Sequence, residues 1–393
     1  MALSQKFYIN NRMKLGETLD NNSMAIVYSG REIAMSADAN YPFFTNNNFY
    51  YLTGITEPEV VLVMTKNSQG LITEKLFIEE ADLVKEKWVG IKINMSEAML
   101  LSGIKEIHYR KNLSNEIKPM EKNTTVYFDF KVPKHQSFKT DDEALKVVFK
   151  RSALKDLDPI FSKMRIIKTP EEVGMIKKAS AITKKAFGEV ARSLKPGLYE
   201  YELAAYFEYL VKKEGADGLA FETIAASGKN ATILHYVSNQ SKTKPGELIL
   251  FDFGARVNGY CGDISRTLAV DGIMSPTQEK AWNIVEAVQK ELIEAYKPGA
   301  VMKELQELTK TLFLEKCSAS GFLPKDNDIS EYYYHGIGHP LGLDTHDLRP
   351  EGELVLLPGM VMTVEPGLYM KELGFGIRIE DDVVITSEGC DVL

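Results

Sequence analysis

Short apolar runs alternate with polar turns along the first 150 residues of the chain. The runs with the length and composition of β-strands are residues 24–28, 60–65, 76–78 and 125–130. Residues 96–101 and 143–151 instead space their apolar positions as helices do. The pattern predicts an α/β domain in this part of the chain.

The pattern changes near residue 160, where a strong helix start follows. Thr169 can cap this helix, Pro170 occupies its first position, and two glutamates follow at the positive end of the helix dipole. Apolar side chains then recur at helical spacing, which predicts one buried face. We place the boundary within residues 155–168 and divide the chain into domains 1–160 and 161–393.

The second part contains a weak internal repeat. A helix that begins at Pro170 ends at a Lys-Pro-Gly triplet, residues 195–197, and a second helix follows. The same order recurs with a helix that begins at Pro276 and ends at the triplet of residues 297–299. Such a triplet is also a common helix stop by itself. The alternative is an internal duplication, which would build a pseudo-twofold domain with a site between its halves.

Composition narrows the class of protein. The 393 residues are 44% hydrophobic and 26% charged, which is ordinary globular usage and excludes a disordered or fibrous chain. The net charge of −8 and the lack of a Lys/Arg cluster exclude a nucleic-acid partner. No apolar stretch is long enough to span a membrane, and the first residues lack the apolar core of a signal peptide.

The three cysteines are odd in number and far apart. Cys261, Cys317 and Cys390 show no metal-binding or disulfide spacing. We interpret them as reduced thiols, which predicts a cytoplasmic protein.

Carboxylates follow apolar runs where their burial would be costly. Asp252 ends the run Leu248-Ile249-Leu250-Phe251, and Asp263 follows eleven residues later. An acid in such a run is expensive to bury unless it is paired or bound to metal. The residues between them are turn formers, so we expect a hairpin that brings both carboxylates together.

Three further candidates lie nearer the C-terminus. His339 lies in a Gly-rich segment, residues 335–347, whose glycines and Pro340 argue against a helix and favour a close approach of backbone. Glu365 and Glu380 each interrupt an apolar, strand-like run. A lone Asp in a strand is commonly structural, and a lone His-x-x-x-His outside a helix is weak, so only the joint pattern predicts a site.

The charges of these five residues balance two metal ions. Four carboxylates carry −4, the imidazole ligand is neutral, and two divalent cations carry +4. Ligand sets rich in carboxylate with one imidazole favour hard or borderline ions such as Mn²⁺ over a tetrahedral structural zinc. Two ions about 3.5–4 Å apart can activate a water and hold a hydrolytic transition state.

The sequence around these residues resembles the aminopeptidase P/prolidase branch of the pita-bread metallopeptidases, which also includes methionine aminopeptidase and creatinase. In the second part the resemblance rests on the segments that carry the five candidate residues. In the first part it rests on residues 36–38, 41–43 and 48–54. Methionine aminopeptidases lack such an N-terminal part, and creatinase lacks the metal ligands.

The resemblance implies the fold and the metal ligands. The fold would be an aminopeptidase P-type α/β domain followed by an α+β pita-bread catalytic domain with pseudo-twofold duplication. The implied ligands of a dinuclear site, usually of manganese, are Asp252, Asp263, His339, Glu365 and Glu380. Of these, Asp263 and Glu380 would bridge the two ions.

The resemblance also implies roles for other residues. The reaction would be release of the N-terminal residue from peptides with proline in second position. His346 would stabilise the oxyanion, and Glu365 would pass a proton to the proline nitrogen. The residues expected to line the proline side are His235, His335, Tyr369 and Arg378.

Two other functions stay open. A prolidase would use the same ligands on Xaa-Pro dipeptides alone, and an inactive binding module would have lost ligands that are intact here. The family leads us to expect a homodimer or higher homo-oligomer. In such an assembly, the loop that carries Trp88 would contribute to the active site of a neighbouring subunit. The alternative is that Trp88 packs on its own domain.

Overall fold

The computed structural model describes residues 3–84, 86–117, 124–137, 150, 152–324 and 328–393. The chain forms two compact units, Met1–Met164 and Arg165–Leu393. The helix predicted at residues 143–151 lies outside the described residues, except for Lys150.

Helices and one mixed sheet build the first unit. Its elements are α1 (Gln5–Thr18), β1 (Ser23–Tyr28), α2 (Asn47–Thr53), β2 (Val61–Lys66), β3 (Ile72–Ile78), α3 (Glu86–Val89), α4 (Met95–Ser102), β4 (Glu106–Tyr109), α5 (Leu113–Ile117), β5 (Thr125–Phe128) and β6 (Ala153–Asp156). Over the described residues the strand order is β4-β3-β2-β1-β5-β6. The pairs β1–β2 and β2–β3 are antiparallel, and the other pairs are parallel. The α/β prediction for this part is confirmed.

The predicted strands and the helix at 96–101 match β1, β2, β3, β5 and α4 within a few residues. Apolar side chains on both faces bury the central strand β1 completely.

Trp88 in α3 is largely exposed, with 86% of its surface accessible to solvent. It does not pack on its own domain, so that alternative is wrong.

Helix pairs and small antiparallel sheets build the second unit. Helix α6 (Asp158–Arg165) leads into it. The elements that follow are α7 (Pro170–Ser193), α8 (Glu200–Lys213), β7 (Gly218–Leu219), β8 (Ile224–Ser227), β9 (Leu248–Phe253), β10 (Ala255–Val257), β11 (Tyr260–Cys261), β12 (Ile264–Ala269), α9 (Pro276–Ala295), α10 (Met302–Ala319), β13 (Val361–Val364), β14 (Gly367–Met370), β15 (Phe375–Arg378), β16 (Asp381–Ile385) and β17 (Cys390–Val392).

Helix α7 begins where the sequence predicts. The Thr169 hydroxyl accepts a hydrogen bond from the backbone N–H of Glu172, whose carboxylate accepts from the backbone N–H of Thr169. Ser275 and Gln278 make the same reciprocal pair at the start of α9. Both helices therefore begin with a capping box followed by proline.

The backbone repeats itself after each Lys-Pro-Gly triplet. In the first half, the N–H of Gly197 donates to the Thr243 carbonyl and the N–H of Thr243 donates to the Leu198 carbonyl. In the second half, the N–H of Gly299 donates to the Leu356 carbonyl and the N–H of Leu356 donates to the Ala300 carbonyl. The same pair of hydrogen bonds thus forms at both triplets, which supports internal duplication over a chance recurrence of a helix stop.

Antiparallel strands carry the candidate site. Strand β9 pairs with both β8 and β12, and β13 pairs with β16. A large apolar core surrounds α9, α10 and the later strands, and the ring of Phe207 stacks on Phe253 with centroids 4.0 Å apart. This packing fixes the strands from which the carboxylates project. Within the described ranges, no helix is long and apolar enough to cross a membrane.

Candidate active site

The first two carboxylates meet through the predicted hairpin. Asp252 lies in β9, and Asp263 directly precedes β12. The two strands pair antiparallel, with Ser265 opposite Asp252, so the expectation of a hairpin is confirmed. The backbone N–H of Glu380 donates to the Ser265 carbonyl at 3.0 Å, which brings a third carboxylate to the same place.

His339 and Glu365 meet where the Gly-rich segment runs beside β13. The N–H of Thr363 donates to the His339 carbonyl at 2.9 Å, and the N–H of Glu365 donates to the Ile337 carbonyl at 3.0 Å. Glycine is required at 338, because a Cβ there would overlap the Thr363 carbonyl oxygen. The predicted close approach of backbone is therefore the contact with β13.

Side-chain distances define a compact ligand cluster. Ligand atoms of Asp263, His339 and Glu380 lie within 4.8 Å of one another. The Nε2 atom of His339 lies 3.7 Å from Asp263 Oδ2 and 3.6 Å from Glu365 Oε1. These residues hold an imidazole and three carboxylates around one small volume.

The tautomer of His339 tests whether a metal fits. Its Nδ1 lies 3.1 Å from the Pro340 carbonyl oxygen, which can only accept, so the network assigns the ring hydrogen to Nδ1. Burial lowers the pKa of His339 to about 4, so the ring is neutral near pH 7. The Nε2 lone pair therefore faces two carboxyl groups, an arrangement that suits a cation.

Burial and mutual repulsion hold protons on the carboxylates. The pKa of Glu365 is raised to about 8, chiefly by burial, with Arg378 opposing the rise and the nearby Asp252 adding to it. Burial, with repulsion from neighbouring carboxylates, also raises the pKa of Asp263 and of Glu380 well above the ordinary range. The buried Oδ1 atoms of Asp252 and Asp263 have no hydrogen-bond partner within the described part of the chain. These residues fit a divalent metal, which would supply the positive charge and the missing partner.

A hydrogen-bonded chain links the ligands to His335. Arg378 donates from one terminal nitrogen to Asp252 Oδ2 at 2.6 Å and from the other to the Tyr369 hydroxyl at 3.1 Å. That hydroxyl donates to His335 Nε2 at 2.8 Å, because His335 Nδ1 donates to the Gly336 carbonyl. Burial lowers the pKa of His335 to about 3, which keeps it neutral.

Ser265 joins this chain to a ligand. Its hydroxyl donates to Glu380 Oε2 at 2.6 Å and accepts from Arg378 Nε at 2.7 Å. The side chain has no exposed surface. One hydroxyl thereby fixes the orientation of both Glu380 and Arg378.

A cavity of about 630 Å³ opens onto the cluster, and we call it the catalytic cavity. The predicted site residues that line it are His235, Asp252, Asp263, His335, His339, His346, Glu365, Arg378 and Glu380. Tyr369 is 1% exposed and is not among the described residues that line it. Its hydroxyl instead contacts two residues that do line the cavity, His335 and Arg378.

His346 lies beside His339 in the wall of the catalytic cavity. The ring of His346 lies 4.1 Å from that of His339, centroid to centroid. Burial lowers the pKa of His346, and the nearby His235 acts in the same direction. His346 is thus favoured as a neutral ring that can donate one hydrogen bond.

Glu200 at the start of α8 holds the turn that carries His235. One carboxylate oxygen accepts from Ser227 and Asn230, and the other accepts from Tyr236 and from the backbone of Ser241. Glu200 has no exposed surface. This buried carboxylate therefore fixes both ends of the turn.

Asp347 anchors the loop at His346. Its two carboxylate oxygens pair with Arg165 and with Lys168, whose Nζ lies 3.0 Å away. Arg165 also pairs with Asp344 at 2.7 Å. Two cations from the start of the second unit thereby hold the segment on either side of His346.

Sequence reasoning missed the residues that act behind the cavity. Ser265 lay inside a recognised motif, but nothing in the pattern marks its hydroxyl as shared by two charged groups. Glu200 and Asp347 find their partners 27 or more residues away along the chain. A buried acid at a helix start is the single local signal that Glu200 offers.

Comparison with known proteins places the chain in a family. The family model described as metallopeptidase family M24 matches residues 174–387, and that of the aminopeptidase P N-terminal domain matches residues 8–127. The Xaa-Pro aminopeptidase of Escherichia coli is 31% identical over 413 residues, covering 98% of this chain and 94% of that protein. The Xaa-Pro dipeptidase of Pyrococcus furiosus is 38% identical over 238 residues, covering 60% of this chain and 65% of that protein.

Solved structures agree in fold. Aminopeptidase P from E. coli with the inhibitor Pro-Leu superposes with a TM-score of 0.91 at 29% identity, covering 100% of this chain and 95% of that chain. The expected fold, an aminopeptidase P-type α/β domain followed by an α+β pita-bread domain, is confirmed.

Proposed function

This chain belongs to metallopeptidase family M24, and on that premise we propose that it is an Xaa-Pro aminopeptidase. It is a hydrolase that releases the N-terminal residue from peptides with proline in second position. The observation that carries the proposal is the bare Nε2 lone pair of His339, which faces the carboxylates of Asp263 and Glu365 at 3.6–3.7 Å. Burying this imidazole and these carboxyl groups together is unfavourable unless a cation lies between them.

Five residues would hold two divalent ions, and we propose Mn²⁺ as the metal. The proposed ligands are Asp252, Asp263, His339, Glu365 and Glu380, with Asp263 and Glu380 shared between the ions. Oxygen-rich ligands with a single imidazole support manganese over a structural zinc. When bound, such ions lower the pKa of the attacking water and polarise the scissile carbonyl.

The chain's own side chains supply the proton chemistry. His346 donates a hydrogen bond to the oxygen of the attacked carbonyl as negative charge develops on it. Glu365 passes a proton to the proline nitrogen as the peptide bond breaks. Its position supports this role, because Glu365 lines the catalytic cavity beside His339.

The proline side of the substrate is assigned to the histidines. His235 and His335 line the catalytic cavity and would contact the proline ring. Tyr369 and Arg378 would act through His335, since the Tyr369 hydroxyl donates to His335 and accepts from Arg378. A neutral His335 in a fixed tautomer presents an apolar ring face to proline, whose nitrogen carries no hydrogen.

Coverage of the relatives separates the aminopeptidase from the alternatives. The aminopeptidase match runs through both units, whereas the dipeptidase match covers 60% of this chain. An inactive binding module is disfavoured because the candidate ligands lie together around His339.

We also propose the domain bounds, an assembly and a location for the molecule. Residues 1–160 and 161–393 would be the two domains, which the family matches at 8–127 and 174–387 support. The exposed Trp88 supports a homodimer in which this side chain is covered by the partner. The free Cys261, Cys317 and Cys390 support a cytoplasmic location.

Substitution of shared ligands tests the proposal. Asp263→Ala and Glu380→Ala should each remove bound metal, measured by elemental analysis after dialysis, together with activity on Xaa-Pro peptides. Glu372→Ala removes an exposed acid outside the cavity and should change neither property. Activity retained by a variant that has lost its metal would contradict the proposed function.

A further inference from the structure

One side chain of helix α10 holds the backbone at and after His335. The side-chain nitrogen of Gln306 donates to the His335 carbonyl at 3.0 Å, and its side-chain oxygen accepts from the backbone N–H of Ile337 at 2.7 Å. The hydroxyl of Tyr333 also donates to this oxygen, at 3.2 Å. Because a backbone carbonyl only accepts and a backbone N–H only donates, these partners assign the two ends of the Gln306 amide.

The bond from Ile337 orients the peptide unit whose carbonyl meets the His335 ring. The N–H of Ile337 and the carbonyl of Gly336 belong to one planar peptide unit and point in opposite directions. With its N–H held by Gln306, the unit presents its carbonyl oxygen to His335 Nδ1 at 2.8 Å. A Cβ at Gly336 would meet no atom within 4 Å, so packing at this residue does not hold the unit. Gln306 supplies the constraint instead.

The Gly336 carbonyl decides the tautomer of His335. It can only accept, so the ring hydrogen lies on Nδ1, and Nε2 accepts from the Tyr369 hydroxyl at 2.8 Å. A hydroxyl can donate or accept, so Tyr369 by itself permits either tautomer. With both ring nitrogens bonded to the protein, the ring offers its apolar face to the catalytic cavity.

We propose that Gln306 is a positioning residue for substrate binding, which fixes the tautomer and orientation of His335 through the peptide unit between Gly336 and Ile337. The consequence for substrate rests on the proposed function, because His335 is there assigned to the proline ring. The tautomer is a property of the folded chain and can be measured without substrate.

The first half of the second unit contains a parallel arrangement. Glu200 lies in α8 and holds the turn that carries His235, as Gln306 lies in α10 and holds the segment that carries His335. Each helix follows a Lys-Pro-Gly triplet, and both histidines line the catalytic cavity. A carboxylate serves at position 200, where every partner donates, whereas position 306 needs an amide because the His335 carbonyl must receive a hydrogen.

Nitrogen NMR of protein labelled with ¹⁵N in its histidine rings tests the tautomer. The protein is loaded with Zn²⁺, which is diamagnetic, and His335→Gln identifies the signals of this ring. In the native protein we expect the hydrogen on Nδ1 and a bare Nε2. Gln306→Leu removes the acceptor for Ile337, so both ring nitrogens should shift towards intermediate values as two tautomers exchange. Gln306→Glu keeps an acceptor and should retain the native pattern.

Kinetics of the Mn²⁺-loaded protein on Ala-Pro-Leu test the consequence for substrate. Gln306→Leu should raise KM roughly fivefold and leave kcat and the metal content nearly unchanged, because the proline contact is the same in the bound substrate and in the transition state. Gln306→Glu should keep KM nearer the native value. Glu304→Leu, at an exposed position of α10 outside the catalytic cavity, should change neither KM nor the ring signals.

The outcomes separate this inference from the proposed function. A native tautomer retained in Gln306→Leu would overturn the control of His335 by Gln306. A changed tautomer with an unchanged KM would overturn its role in substrate binding. Failure of the native protein to cleave Ala-Pro-Leu would instead overturn the Xaa-Pro aminopeptidase assignment, and the tautomer result would still stand.

Discussion

Removal of metal should make the stability of the second unit fall as pH rises. The cause is Glu365, whose pKa rises from 4.5 to about 8 in the folded, metal-free protein because it is buried. At pH 6.5 the folded state keeps this proton and the unfolded state has lost it, and the folded carboxyl becomes half ionised only at about pH 8. The free energy of unfolding therefore falls by about 1.4 kcal/mol per pH unit, or about 2 kcal/mol across this window. Asp263 and Glu380, whose pKa values are also raised, act in the same direction.

The window is chosen so that other groups do not reverse the sign. His335 and His339 have lowered pKa values of about 3 and about 4, so their stabilisation is complete above pH 6.5 and is lost only as pH falls. Burial raises the pKa of Asp382 to about 7, so this group adds to the fall in the free energy of unfolding at the low-pH end of the window. Above pH 6.5 the carboxylates dominate the slope, because His335, His339 and His346 oppose it only while the last protons leave their imidazoles in the unfolded state.

The assay is urea unfolding of chelator-treated protein at pH 6.5, 7.25 and 8. Trp282 reports on the second unit once the other tryptophan is removed by Trp88→Phe. Saturating Mn²⁺ should abolish the slope, since metal replaces the protons, and Glu365→Gln should reduce it. Glu372→Gln, at an exposed site, should leave it unchanged. A metal-free stability that stays constant or rises between pH 6.5 and 8 would refute the electrostatic account.

Three substitutions test the residues that position the site. Ser265→Ala removes the hydroxyl shared by Glu380 and Arg378 and should weaken metal binding roughly 10–100-fold in calorimetry, as is typical when a hydrogen-bond partner of a metal ligand is lost. Ser265→Thr keeps the hydroxyl and serves as the control, and unchanged metal affinity in the alanine variant would contradict the role of Ser265. Glu200→Ala leaves several buried donors without an acceptor and should lower the free energy of unfolding by about 3–5 kcal/mol in denaturant. Glu208→Ala, at a side chain with a surface ion pair, should lower it by under about 0.5 kcal/mol, and a similar small loss in both variants would show that the turn does not depend on Glu200. Gly338→Ala forces a Cβ into the Thr363 carbonyl and should lower both the melting temperature and the metal affinity. Gly336→Ala should change neither, and equal behaviour of the two variants would refute the close approach of Gly338 to β13.

The sequence was most informative where chemistry and local pattern coincide. A carboxylate at the end of an apolar run is costly to bury, which singled out Asp252, Glu365 and Glu380, and turn formers between two runs predicted the pairing of β9 with β12. The capping box at Thr169 fixed the start of α7 within a residue. The wrong alternative for Trp88 arose because a lone aromatic gives no sign of what covers it.

Contacts between distant segments could not be predicted. The hydroxyl of Ser265 serves Glu380, which lies 115 residues later, and Arg165 pairs with Asp347 over 182 residues. Such pairs follow from how strands and loops pack, and a single sequence carries no record of that packing. The placement of Tyr369 behind His335 is of the same kind.

The most direct measurement is a paired digest of the Mn²⁺-loaded protein with Ala-Pro and with Ala-Pro-Leu, read by mass spectrometry. The account predicts release of alanine from the tripeptide, and loss of that activity in Asp263→Ala. Cleavage of the dipeptide alone would show a prolidase, and cleavage of neither peptide by metal-loaded protein would contradict the central claim.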